Sequence, residues 1–322
     1  MIHLRIVCPA SSSPEVLEAL ESNPAVVNVV MLAGAARKPV GDVVLCDVAR
    51  EETSVVLDGL KALHLEEVGS IAIETIETHI SHASAQAVEA AAGSPSDAVI
   101  WEQVTARTSE SAELNASFLI FMVLAALITA VGIFLDSPIL IVGGMVVGPE
   151  FGPIAGLCVA LISRRRELAA RSAIALAVGF PLAILATLLA AAIFKETGIT
   201  PAVFTEADHQ FSQQIAHPDF LAFFIAVCAG MAGVLSLSTA KSGAIVGVLI
   251  SVTTIPAVAN VGIAAAYGEF GSMGGSLAQL GLNIVGILLA GLATLGVQRL
   301  LYRRRHARHQ ARTGPAGRLS HK

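Results

Sequence analysis

Six long stretches of this chain carry almost no charge, and they leave few ways for it to fold. Leu114–Leu135, Ser172–Phe194, Phe220–Ala240, Ser242–Gly268 and Gly271–Gln298 contain no Asp, Glu, Lys or Arg, and Ser137–Ser163 contains one, Glu150. About 20 apolar residues suffice for a helix to cross the hydrocarbon core of a bilayer. The spacing therefore predicts six membrane-spanning helices. Across the 322 residues, 54% are hydrophobic and 14% charged, against about 25% charged in a soluble domain.

The charges that remain orient the chain. With the N-terminus in the cytoplasm, Arg164, Arg165, Arg166, Arg171, Lys241, Arg299, Arg303, Arg304 and Arg305 all fall on the cytoplasmic side. The opposite side holds Asp136, Lys195, Glu196, Glu206, Asp208, Asp219 and Glu269. This is the positive-inside distribution. It predicts a multi-pass protein of the cytoplasmic (plasma) membrane, the cell inner membrane, with both termini inside. Met1–Ala10 has neither a basic start nor an apolar core, so the first span is expected to direct insertion.

Ahead of the spans, His3–Cys8, Ala25–Leu32, Gly41–Val48 and Ser70–Thr78 read as strands, and Pro14–Glu21 and Thr53–Leu63 as helices. The order β-α-β-β-α-β is the split βαβ, ferredoxin-like arrangement. The expected organisation is a ferredoxin-like, ACT-like cytosolic domain over 1–79 and a helical connector over 80–113. A membrane all-α bundle of six transmembrane helices follows over 114–298, then a basic cytosolic tail over 299–322. In the connector, Asp97–Glu113 reads as a helix, either at the membrane surface with Trp101 among the headgroups or packed on the small domain.

The second and fifth spans share an unusual composition. Ser137–Gly156 reads SPILIVGGMVVGPEFGPIAG and Ser242–Gly262 reads SGAIVGVLISVTTIPAVANVG. Each opens on Ser, holds Ile-Val-Gly early and meets proline near its middle. They are the central members of two three-helix halves, which an odd helix count forces into opposite orientations. Paired Gly/Pro-interrupted spans in two inverted repeats mark binding sites in transporters. Both spans are expected to break, leaving a polar cavity near the midplane.

Glu150 is the most informative single residue. It lies 13 positions after Ser137, about 20 Å along an ideal helix. An intramembrane carboxylate is costly and marks function by default. The candidate substrate or ion site comprises Glu150 with Gly148, Pro149 and Pro153 at the break of the second span. Thr253, Thr254, Pro256 and Asn260 join it from the fifth span and Asn283 from the sixth. Thr and Asn at such depths can coordinate a solute or hold helices together.

The stretch AALITAVGIFLDSPILIVGGMVVGPEFGPIAGLCVAL resembles the uncharacterised hydrophobic membrane protein family DUF389. SGAIVGVLISVTTIPAVANVG is similar to a second signature of that family and LGLNIVGI, Leu280–Ile287, to a third. DAVIWEQV before the first span also resembles it, so the likeness runs from Ser96 to Val297. Asp136 stands where the family usually has Asn, Gly148–Gly152 departs from Ser-Pro-Leu-Met-Gly, and Ile255–Pro256 replaces Pro-Pro. The resemblance implies the architecture and no established activity.

A secondary carrier of a small solute or ion is the function expected from these features. The alternatives are an oligomeric channel and a membrane-anchored metabolite sensor or scaffold. The bilayer, an unidentified solute or ion and further copies of the chain in a homo-oligomer are the expected partners, with no nucleic acid. No catalytic set, metal signature or cofactor motif emerges, and the chain is not expected to be an enzyme. Four scattered cysteines (Cys8, Cys46, Cys158, Cys228) form no paired motif.

Overall fold

In the N-terminal part, side chains alternating at period two assemble a sheet. β1 (Ile2–Cys8), β2 (Val26–Arg37), β3 (Val40–Val48) and β4 (Ser70–Thr75) pair antiparallel in the order β2-β3-β1-β4. Ile2, Leu4, Ile6 and Cys8 of β1 and Val44, Cys46 and Val48 of β3 point to one face. There they are buried beneath Val16 and Leu20 of α1 (Ser13–Glu21) and Val56, Leu57 and Leu60 of α2 (Thr53–Lys61). A one-turn helix, α3 (Leu65–Val68), leads into β4. The computed structural model describes residues 1–76, 78–91, 100–205, 209–238 and 244–313, without the side chains of 107, 238, 244–253 and 302–313.

The element order is the expected one, but β2 runs five residues past the predicted end at Leu32, to Arg37. Its register shifts between Val27 and Val30 and again between Leu32 and Ala36. Asn28 and Gly34 adopt positive φ at these irregularities (55° and 63°). Such bulges break the alternation that a strand reading depends on.

Two aspartates of β3, Asp42 and Asp47, tie it to its neighbours. Ser13 Oγ donates to Asp42 Oδ2 at 2.6 Å and the Gly34 amide to Asp42 Oδ1 at 2.8 Å, holding that carboxyl below its ordinary range. Burial pushes the Asp47 carboxyl up, but hydrogen bonds from Asn28 (2.7 Å) and His3 (2.8 Å) outweigh it and the net direction is down. Carboxyls lowered by folding stabilise the fold above their unfolded value of about 3.9, and that contribution is lost as pH falls through the folded values. The melting point of this part, followed through the single tryptophan, Trp101, should therefore drop between pH 5 and pH 3, less steeply in Asp42→Asn. An unchanged melting point over that interval would refute the assignment. The buried Cys46 thiol is pushed up to about 12 by burial first and the Asp47 charge second, so it is inert toward thiol chemistry.

The connector holds α4 (His82–Ala90) and α5 (Trp101–Ser111); the expected break at Gly93–Ser96 lies outside the described residues. Lys61 Nζ donates to Glu102 Oε1 at 2.6 Å, Gln103 Nε2 to Thr75 Oγ1 at 3.3 Å, and Ile100 is buried in the sheet core. The first turn of α5 thus packs on the sheet, which favours the packed-linker alternative for Trp101. The chain divides into two compact units, Met1–Gln103 with Leu300–Lys322, and Val104–Arg299.

Among its described residues, the second unit has helices as its only regular elements. After the end of α5 come α6 (Ala116–Phe134), α7 (Pro138–Val147), α8 (Phe151–Ser163), α9 (Arg166–Glu196), α10 (Gln210–Ala216), α11 (Phe220–Ser238), α12 (Ala244–Tyr267) and, up to Arg299, α13 (Phe270–Thr313). Among the described residues, four helices, Ala116–Phe134, Arg166–Glu196, Phe220–Leu237 and Phe270–Leu301, are long and apolar enough to cross a membrane. α7 and α8 pass the same test together as a pair bent by 50°, giving up to five candidate spans. Of α12, only Thr254–Tyr267 has described side chains, and that stretch is apolar but short.

Large apolar side chains face outward on these helices, among them Ile120, Phe121, Leu185, Leu189, Phe224 and Leu289. A surface of that kind suits hydrocarbon better than water. Inside, Phe118, Met122, Phe180, Ile154, Ile255, Val258 and Ile287 form the core. α12 is central, with every side chain from Thr254 to Ala264 buried, as expected of a helix surrounded on all sides.

The structure corrects one expectation. The stretch predicted as the second span is broken, between α7 and α8, but the stretch predicted as the fifth is not: α12 is one 24-residue helix that runs through Pro256. At the second span, Pro149 disfavours the helical region for the residue before it, and Gly148 leaves α7 in an extended conformation (ψ 126°). Pro153 sits in the first turn of α8, where its missing N–H removes no helical bond. At Pro256 one bond is forgone while burial around α12 holds the helix together.

Candidate functional site

The 50° bend between α7 and α8 arises at Gly148–Pro149, where the chain leaves the helical region, and it presents the Glu150 carboxyl at the start of α8. Glu150 occupies the N-cap position and is 0% exposed. A carboxylate there is favoured by the helix dipole. Thr254 Oγ1, on the central α12, donates to Glu150 Oε1 at 2.7 Å. Two of the predicted residues therefore meet directly. Gly148, Pro149 and Pro153 shape the bend, and Pro256 lies two positions beyond Thr254 in α12. The side chain of Thr253 lies outside the described residues.

Asn260 belongs to a second buried cluster. Its Oδ1 accepts from Ser212 Oγ at 2.8 Å, and its Nδ2 donates to Ser276 Oγ at 2.9 Å and Ser272 Oγ at 3.3 Å. One amide thus joins α10, α12 and α13. Asn283 accepts from Gln279 Nε2 at 3.0 Å along α13, both side chains buried. The sequence reading missed Ser212, Ser272, Ser276 and Gln279. Ser272 and Ser276 stand four apart on one face of a helix, a signal that was available.

The α6–α7 turn, the segment before α10 and the end of α12 converge on an aromatic cluster. The ring of Phe204 lies 5.5 Å from Phe134 and 5.3 Å from Tyr267, and stacks on His209 at 4.2 Å. His209 Nδ1 lies 3.3 Å from Asp136 Oδ2, and Lys195 Nζ sits 5.0 Å above the Tyr267 ring. Asp136 has φ 46°. Asn and Asp tolerate that left-handed conformation better than other non-glycine residues, which accounts for either one at this turn.

The Glu150–Thr254 contact makes a testable statement about stability. Thr254→Val keeps the shape and removes the hydroxyl, so it should cost about 1 kcal/mol, in the range of hydrogen bonds between membrane helices. Thermal unfolding of the purified chain in detergent would show this as a lower midpoint; an unchanged midpoint would mean that the bond adds nothing.

A sheet-bearing unit together with a bundle of apolar helices, two of them meeting in a bend at a buried carboxyl, defines the class as a membrane-compatible helical protein with a small α+β unit. Residues 145–289 match the family DUF389, described as a domain of unknown function. The family therefore covers α8 to α12 whole, including the break, Glu150 and Thr254. An uncharacterised protein of Methanocaldococcus jannaschii is 24% identical over 194 residues, 60% of this chain. That similarity extends over 58% of the archaeal protein's length. No solved structure matches the chain.

Proposed function

We propose that this protein is a secondary carrier of a small cation or a proton-coupled solute, with Glu150 as the exchanging group. The observation that carries the reading is the fully buried carboxyl at a helix break, hydrogen-bonded by a hydroxyl of the central proline-containing helix. A carboxyl at membrane depth is costly and marks function by default, and carriers form their binding sites at discontinuous helices.

In this reading the chain crosses the cytoplasmic membrane six times, α7–α8 forming the second span and α12 the fifth, with both termini inside. Support comes from the arginines and lysine of the loops on one side and the acidic residues on the other. The two three-helix halves act as inverted repeats, although only the first carries a broken central helix. The N-terminal sheet domain, ferredoxin-like in its strand order, is a cytosolic regulatory or assembly module of a homo-oligomer. The chain performs no covalent chemistry.

The test is uptake into liposomes reconstituted with the full chain, using a panel of labelled monovalent cations and small carboxylic acids. Saturable, gradient-driven uptake is the expected result. Uptake that rises linearly with concentration would replace the carrier with a channel. No uptake of any panel member, with the protein folded and inserted, would defeat the transport reading in favour of a sensor.

A further inference from the structure

At the loop between α8 and α9, two recesses lie side by side in the helical unit. One, of about 250 Å³, is lined by Thr105 and Ser109 of α5 and by Arg165, Arg166, Glu167, Leu168 and Arg171. The other, of about 230 Å³, is lined by Glu113, Leu114, Arg171 and Ile174. Arg171 lines both, so they adjoin, and the second sets the apolar side chains of Leu114 and Ile174 beside the charges of Glu113 and Arg171.

The charge balance of the polar recess favours an anion. Arg171 Nη2 is paired with Glu167 Oε1 at 2.5 Å, which uses one charge of each sign. Arg165 and Arg166 form no ion pair among the described residues and are exposed. They stand at the N-terminus of α9, where Arg165 makes no side-chain cap. The first amides of a helix have no intrahelical partner and point toward whatever occupies that end. The hydroxyls of Thr105 and Ser109 add neutral hydrogen-bonding groups. Guanidinium forks, hydroxyls and amides together suit the oxygens of a phosphate.

The apolar side chains of the second recess indicate which phosphate-bearing molecule this is. Leu114 and Ile174 are 37% and 52% exposed. From Ile174 an exposed stripe continues along α9 through Val178, Leu182, Leu185 and Leu189, at spacings of four, four, three and four residues. Those spacings keep one face of the helix apolar for four turns. A free phosphate or a nucleotide has no use for such a track, whereas an acyl chain does. We infer that Arg165, Arg166, Thr105 and Ser109 bind the headgroup of an anionic phospholipid whose acyl chain lies along the Ile174–Leu189 face of α9. This inference rests on the reading of the chain as membrane-spanning. The arginines then serve as a lipid site in addition to orienting the loop.

The experiment is native mass spectrometry of the full chain in detergent, titrated separately with phosphatidylglycerol and phosphatidylcholine. Wild type should retain phosphatidylglycerol selectively. Arg165→Gln/Arg166→Gln should weaken that retention by about 30-fold, from the loss of two arginines acting on an anionic headgroup, and leave phosphatidylcholine retention unchanged. Arg164→Gln, outside both recesses, should behave as wild type. Equal retention of the two lipids by wild type, or equal phosphatidylglycerol retention by wild type and the double variant, would overturn the proposal. So would complete displacement of the lipid by millimolar inorganic phosphate, which would identify a bare anion site. Resistance of the chain to carbonate extraction from membranes, measured in parallel, reports on membrane integration alone and separates failure of the lipid site from failure of the spanning reading.

Discussion

Gly144→Leu is expected to abolish the folded helical bundle, whereas Gly143→Leu one residue away is tolerated. α6 and α7 run close together, and a Cβ added at Gly144 would collide with Thr129 Oγ1 and lie 2.7 Å from the Ala125 carbonyl oxygen. Neither neighbour can yield cheaply. The carbonyl belongs to the α6 backbone, and the Thr129 hydroxyl is itself bonded to that carbonyl at 2.8 Å. Overpacking a filled core costs about 1–3 kcal/mol when side chains can shift, and more when backbone must move. At Gly143 nothing lies within 4 Å, so a leucine there meets open surroundings. Size-exclusion chromatography in detergent should give a monodisperse peak for Gly143→Leu and aggregate for Gly144→Leu. Equal behaviour of the two would contradict the α6–α7 contact.

The second large effect is expected at Asn260. Its amide receives or makes three hydrogen bonds to serines of α10 and α13 and is 0% exposed. Asn260→Leu is nearly isosteric but leaves three hydroxyls in an apolar setting. Each can turn back to a carbonyl of its own helix, which limits the loss, so a destabilisation of about 2 kcal/mol is expected overall. α10 should suffer first because it is only seven residues long and depends on tertiary contacts. Hydrogen exchange over Gln210–Ala216 should accelerate in the variant before exchange in α12 does. Uniform acceleration throughout the bundle would refute the local role.

Much of the architecture was legible because charge and apolar length are one-dimensional properties. The predicted first span, Leu114–Leu135, brackets α6 (Ala116–Phe134), and the second, Ser137–Ser163, brackets α7 and α8 together. The break at Pro149 could be read from the Gly-Pro dipeptide, since the residue before proline avoids the helical region. Pro256 follows Ile255 in the same relation, yet α12 continues through it, because burial on every side outweighs one lost bond. No local signal carries that information. α10 was missed for the opposite reason: seven residues between charged loops have no periodicity to detect, and Phe211 and Ile215 find their partners only in the folded bundle. At the site, the cost of an intramembrane acid singled out Glu150, but nothing in the sequence distinguished Thr254, which reaches it, from Asn260, which is tied to serines instead.

Proton movement in reconstituted liposomes tests the role of Glu150 most directly. A pH-sensitive dye trapped inside would follow wild type and Glu150→Gln while a gradient of a transported panel member is imposed. Glutamine keeps the size of the side chain and can still accept from Thr254, but it has no proton to exchange. Solute-driven pH change is expected with wild type and none with Glu150→Gln, the variant remaining monodisperse and correctly inserted. Identical pH changes in the two would contradict it and leave Glu150 a structural carboxyl that holds α8 against α12.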